Sequence, residues 1–320
     1  MMHRLRGRWI PFVAVMVMLA VLPIAGMPRS WSLYLFLFFI YLAMANMWNL
    51  LAGYSGLISL CQPAFIGLAG YTLVIGTWIG LPFYVGIIAG AIVAAAFALL
   101  ISIPVFRLSG IYFAIGTLVI PEALRIAFFL WRPVGGEMHG GGAGYMVKGV
   151  TGVSMAEFYW LALVIGMASI FLMRLILRST LGLGLASIRD NDRAAASCGI
   201  DVFRLKLYSF VIGAFVTGIA GSIFYIYQGY IEPASAFNIR WTMIVMLATV
   251  IGGLGTEEGP MIGTAIVVFL HFLLARYAGI SLLIQGIILV GIMLLAPQGI
   301  LGFIRKTQTY RSMSQLITRR

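Results

Sequence analysis

RSTLGLGLASIRDNDRAAASCGIDVFRLK, residues 178–206, lies between two long apolar runs and holds eight charged residues: Arg178, Arg189, Asp190, Asp192, Arg193, Asp201, Arg204 and Lys206. A polar segment of this length between two membrane spans must sit in water, and its basic excess places that water on the cytoplasmic side. Asp190 is expected to cap a short helix here, with Asp192 in the first turn, where the helix dipole favours negative charge. Ala194, Ala195 and Ala196 propagate the helix, and Gly199 ends it. Small side chains then cover much of its surface, so another protein can approach closely. An ordinary solvated loop is the competing reading.

The rest of the chain explains why so few charges stand out. It is 62% hydrophobic and 9% charged, with a mean hydropathy of +1.05. Soluble domains carry about 25% charged residues, so the composition is that of an integral membrane protein. Apolar runs of about 20 residues recur along it, which favours an α-helical bundle over a barrel. The net charge of +12 could point to nucleic acid. Its distribution argues otherwise, because the basic residues gather near the N-terminus (His3, Arg4, Arg6, Arg8), in segment 178–206, and at the C-terminus (Arg305, Lys306, Arg311, Arg319, Arg320). That is the positive-inside pattern, and contact with anionic lipid headgroups is a sufficient use for it.

Ten spans are expected, at about 9–26, 31–51, 57–80, 82–105, 110–130, 157–177, 207–229, 241–254, 260–277 and 281–304. They form a single transmembrane domain over 1–320, with the long glycine-rich loop 131–156 outside. The run after Arg8 has the charge profile of a signal peptide but no convincing cleavage site before a soluble domain, so it is kept as a span. Threading the chain from the inside puts both termini and segment 178–206 in the cytoplasm. The eighth span is too short to cross upright and could be re-entrant.

Three stretches could carry chemistry. The third span combines Gly67, Gly70, Gly76 and Gly80 with Gln62 and Pro63. Pro63 is expected to kink or break the helix within its first turns. A broken helix beside a polar residue can line a transport path; a packing kink whose amide bonds a neighbouring helix is the alternative. The fifth span holds Glu122 and Arg125, whose i, i+3 spacing lets them pair on one helix face. That pair either fixes helix packing or faces a polar cavity. GGLGTEEGP, 252–260, lacks the spacing and the lysine of a phosphate loop and reads as a tight turn. Cys61 and Cys198 suggest neither a disulfide nor a metal site. No catalytic constellation, metal site or nucleotide motif is visible, so any ATP that energises this chain, with its Mg, must be bound by partner subunits.

Four stretches together resemble the permease subunits of branched-chain amino acid ABC importers, M-type. They are NLLAGYSGLISLCQPAFIGLAGYT (49–72), RLSGIYFAIGTLVIPEALR (107–125), GLGLASIRDNDRAAASCGIDVFRLKL (182–207) and GGLGTEEGPMIG (252–263). The resemblance implies an all-α, ten-helix, type II-like importer permease in the bacterial inner membrane. It implies two cytoplasmic ATP-binding cassette subunits, a second H-type permease and a periplasmic substrate-binding protein as partners. The ATPase-coupling residues would be Arg189, Asp190, Asn191, Asp192, Arg193, Ala194, Ala195, Ser197 and Gly199. Gln62, Pro63, Phe65, Tyr112, Glu122 and Arg125 are the candidates for the translocation path. Cys61, Pro63 and the outer loop depart from the family pattern, so urea and short amides stand beside branched-chain amino acids as possible cargo.

An ion-coupled carrier working alone would need several intramembrane carboxylates, and only Glu122 is a clear candidate. A membrane enzyme would need a nucleophile or an acid–base pair in the bundle. A structural scaffold would need neither the short capped helix nor the broken span.

Overall fold

The computed structural model describes residues 16, 18–23, 27–135, 140–150 and 152–274, with scattered positions between 283 and 301. The first and tenth expected spans fall largely outside the described residues, as do both basic tails. Among the described residues, six helical stretches are long and apolar enough to cross a membrane. They are α1 (Arg29–Ala52), α3 (Phe83–Val105), α4 (Ile111–Leu130), α5 (Met155–Leu177), α8 (Val202–Gln228) and the run Pro233–Gly252. That run comprises α9 (Pro233–Ala236) and α10 (Arg240–Gly252). Shorter apolar helices are α2 (Gln62–Trp78) and α11 (Gly259–Leu274), while α6 (Thr180–Asp190) and α7 (Asp192–Ser197) form the charged connection.

α1 is the axis of the bundle. In its most apolar window 89% of residues are buried, against 17% for α4, so α1 is the centre and α4 the rim. α5, α8, α10 and α11 all pack on α1. Buried Asn46 donates to Ser169 Oγ at 3.0 Å, tying α1 to α5 in an otherwise apolar setting. α2, α3 and α8 form a second group held by close backbone approach. A Cβ on Gly90 would sit 2.6 Å from the Ala69 carbonyl oxygen, and one on Gly221 would sit 2.9 Å from Ile66 Cα. In a membrane, where lipid removes the hydrophobic drive between helices, such contact is what holds them together.

Several boundaries differ from expectation for local reasons. The third span does not start as a helix at 57: residues 57–61 are non-helical, and α2 opens at Gln62 with Pro63 in its first turn. Proline there costs nothing, because its missing N–H would have been unpaired in any case, so Pro63 starts the helix instead of kinking it. The connection 178–206 forms two helices, not one. Asp190 does not cap; it is the last residue of α6. Asn191 is the cap of α7, with extended backbone (φ −163°, ψ 110°) and a side chain that accepts from the N–H groups of Arg193 and Ala194. Asp192 does fall in the first turn. Two short antiparallel strands that pattern reading did not foresee join the loop 131–156 to the chain after α8: β1 (Tyr145–Met146) and β2 (Tyr230–Ile231). α8 starts at Val202, five residues before the expected span, and ends at Gly229, whose φ of +71° suits glycine.

Candidate functional site

The charged connection forms an exposed two-helix corner. α6 starts under Ser179, whose side chain accepts from Leu181 N–H. It ends at the sharp Asn191 bend, and α7 leads off from there. Asp192, Arg193, Ala194 and Ser197 are exposed, whereas Ala195 is buried. One face of α7 is therefore anchored on the bundle and the opposite face is free. An ion pair between Asp192 and Lys206 ties α7 to α8, and the Lys206 side chain is only 12% exposed. Gly199, at φ +82°, lets the chain turn back towards α8. The expected coupling residues thus lie together on one corner, except that Ala195 faces inward and Arg189 reaches back. Arg189 Nη1 donates to the Gly53 carbonyl at 3.3 Å.

The expected path residues separate into two groups. Gln62, Pro63 and Phe65 are buried at the start of α2. Phe65 packs edge-on against Phe210 of α8, with ring centroids 5.4 Å apart. Gln62 is 4% exposed, and its Oε1 has no hydrogen-bond partner among the described residues. Tyr112, Glu122 and Arg125 lie on the outer side of α4, where Tyr112 is 73% exposed. Glu122 and Arg125 form a two-pronged ion pair on one face, with Arg125 Nε donating to Glu122 Oε2 at 2.9 Å. Among the described residues, neither side chain is buried against another helix.

Residues that sequence reading missed hold the non-helical segment 57–61 between these groups. Its backbone polar groups lack helical partners and must be paired by other means. Trp48 Nε1 donates to the Ser59 carbonyl at 2.8 Å. Leu60 N–H donates to Thr117 Oγ1 at 3.0 Å, and Thr242 Oγ1 donates to the Leu60 carbonyl at 3.3 Å. Side chains from α1, α4 and α10 therefore converge on two residues of unwound backbone. Single threonines in apolar spans carry no periodic signal that could have marked them.

Both cysteines are free, with Cys61 buried and Cys198 exposed. No group of three His, Cys, Asp or Glu residues able to hold a metal ion occurs among the described residues.

A multi-pass helical membrane protein with one unwound segment in its bundle and an exposed charged helical corner is the class these features define. Residues 30–297 match the family described as branched-chain amino acid transport system, permease component, and the chain belongs to that family. It is 28% identical to the high-affinity branched-chain amino acid transport system permease protein LivM of Salmonella typhimurium, over 83% of this chain and 68% of that protein. The LivM protein of Escherichia coli is equally similar, with the same coverage. A probable branched-chain amino acid transport permease protein LivH of Methanocaldococcus jannaschii is 30% identical over 48% of this chain and 49% of its own length. No solved structure matches.

Proposed function

We propose that this chain is the M-type permease subunit of an ATP-driven importer that carries branched-chain amino acids inward across the bacterial cytoplasmic membrane. The observation that carries the reading, given the family, is the exposed corner from Thr180 to Ser197. A capped helix with one anchored face and one free face of small and charged residues suits docking into a groove of a cytoplasmic ATPase. The chain would have ten spans in a type II-like arrangement with both termini inside. Two ATP-binding cassette subunits would hold ATP and Mg, and a periplasmic binding protein would deliver the cargo. An H-type permease would cover the outer side of α4, because Glu122 and Arg125 cannot face lipid cheaply. On this reading Gln62, Pro63, Phe65, Tyr112, Glu122 and Arg125 lie on or beside the path. Urea or a short amide remains the alternative cargo.

Purification from native membranes in mild detergent, followed by mass spectrometry, tests the assembly. Recovery of two ATPase subunits and a second permease, lost on deletion of residues 190–199, is the expected result. Recovery of this chain alone, still moving solute without ATP, would replace the reading with an ion-coupled carrier.

A further inference from the structure

Three pieces of the cytoplasmic-side scaffold meet at Arg189. The first is the turn after α1, where Gly53 caps the helix and offers its carbonyl to Arg189 Nη1 at 3.3 Å. The second is the turn between α10 and α11, where a Cβ on Gly255 would lie 3.2 Å from the same Nη1. The third is α6 itself, with Arg189 in its last turn. Gly53 and Gly255 are close enough that a Cβ on Gly53 would sit 2.5 Å from the Gly255 nitrogen. Buried Asn49 ties the end of α1 to the second turn, accepting from Gly255 N–H at 2.8 Å and donating to the Thr256 carbonyl at 2.9 Å. Arg174 of α5 adds a pair to Glu257 of the second turn at 3.6 Å.

The guanidinium therefore sits where the C-terminal ends of α1 and α10 converge. Both helix dipoles are negative there and both sets of last carbonyls lack helical donors. The first turn runs straight into unwound residues 57–61 and Gln62, so Arg189 gives a displacement of α6 a polar route to that segment, beside the apolar cluster in which Leu181 and Leu185 of α6 join Leu50 and Tyr54.

Building on the importer reading, we propose that Arg189 is a positioning residue that transmits movement of the α6–α7 corner to the unwound segment 57–61, rather than a contact to the ATPase. Arginine suits this role because its planar fork can reach Gly53 and Asp190 together. Lysine would keep the charge and lose that geometry. Coupling between distant sites requires a contact that differs between two states, and the Arg189–Gly53 hydrogen bond is the candidate.

The test uses the complete complex in proteoliposomes, with uptake and ATP hydrolysis measured on the same sample. Arg189→Lys is expected to lower substrate moved per ATP by about fivefold or more while the ATPase subunits still co-purify. A second readout follows thiol labelling of Leu57→Cys in a Cys61→Ala, Cys198→Ser background, since both native cysteines are free. Its rate should change on adding ATP when Arg189 is present, and should stay constant in Arg189→Lys. An unchanged ratio together with unchanged ATP-dependent labelling would overturn the proposal. Loss of the ATPase subunits from the variant would also overturn it, making Arg189 a docking contact. Absence of ATP-driven uptake in the unaltered complex would overturn the importer reading itself, a result distinguishable from either of these.

Discussion

Asn49, in the last turn of α1, fastens that helix end to a turn that begins 206 residues further on with Gly255, its Oδ1 accepting from Gly255 N–H at 2.8 Å while its Nδ2 donates to the neighbouring Thr256 carbonyl. Asn49 is fully buried, and Gly255 and Thr256 are half-buried. Asn49→Ala is expected to destabilise the chain by about 1–3 kcal/mol for each group left unpaired. Asn49→Asp should also destabilise, because it removes the donor to Thr256 and buries a charge. Thermal unfolding in detergent checks both; wild-type midpoints would mean the bridge holds nothing.

Asn191, not Asp190, caps α7. Asn191→Ala should cost about 1 kcal/mol of local helix stability and lower transport-linked ATP hydrolysis, since α7 would fray. Asp190→Ala should leave α7 formed. Hydrogen exchange of the amides from Arg193 to Ser197 distinguishes the two, and equal protection in both variants would contradict the assignment.

α10 and α11 touch backbone to backbone. A Cβ on Gly263 would overlap the Ala248 carbonyl, whereas one on Gly76 would meet the Leu81 side chain no closer than 3.5 Å, an ordinary contact. Gly263→Ala should therefore fail to accumulate in membranes, while Gly76→Ala accumulates normally. Immunoblots of membrane fractions give the comparison, and equal levels would show that the two helices can separate at little cost.

Thr117 supplies the acceptor for Leu60 N–H. Thr117→Val keeps the shape and removes that acceptor, leaving the amide unpaired at a cost of about 1–3 kcal/mol. Faster exchange at Leu60 and reduced uptake are expected, with Thr117→Ser restoring both. A fully active valine variant would mean that this hydrogen bond is dispensable.

Glu122 and Arg125 pair on a face that no other helix covers among the described residues. Glu122→Gln is thus expected to leave the melting temperature of the isolated chain unchanged while weakening retention of the second permease. A lowered melting temperature with normal assembly would instead return the pair to a packing role within this chain.

Much of the architecture was legible in the chain itself. Apolar run lengths, the scarcity of charge and the clustering of arginine and lysine determined the membrane class, most span positions and the site of the charged corner, because these are local properties of composition and period. Only the tertiary structure decided what those elements do at their ends. Asp190 and Asn191 are both good caps by residue type, and the extended backbone at Asn191 settled which one serves. Pro63 is compatible with a kink or a helix start. It starts the helix because Trp48, Thr117 and Thr242 pair the backbone just upstream, removing the need for helical hydrogen bonds there. Arg189–Gly53 and Asn49–Gly255 span 136 and 206 residues of sequence. Contacts at such separation leave no periodic trace in the sequence, since they exist only once the helices are packed.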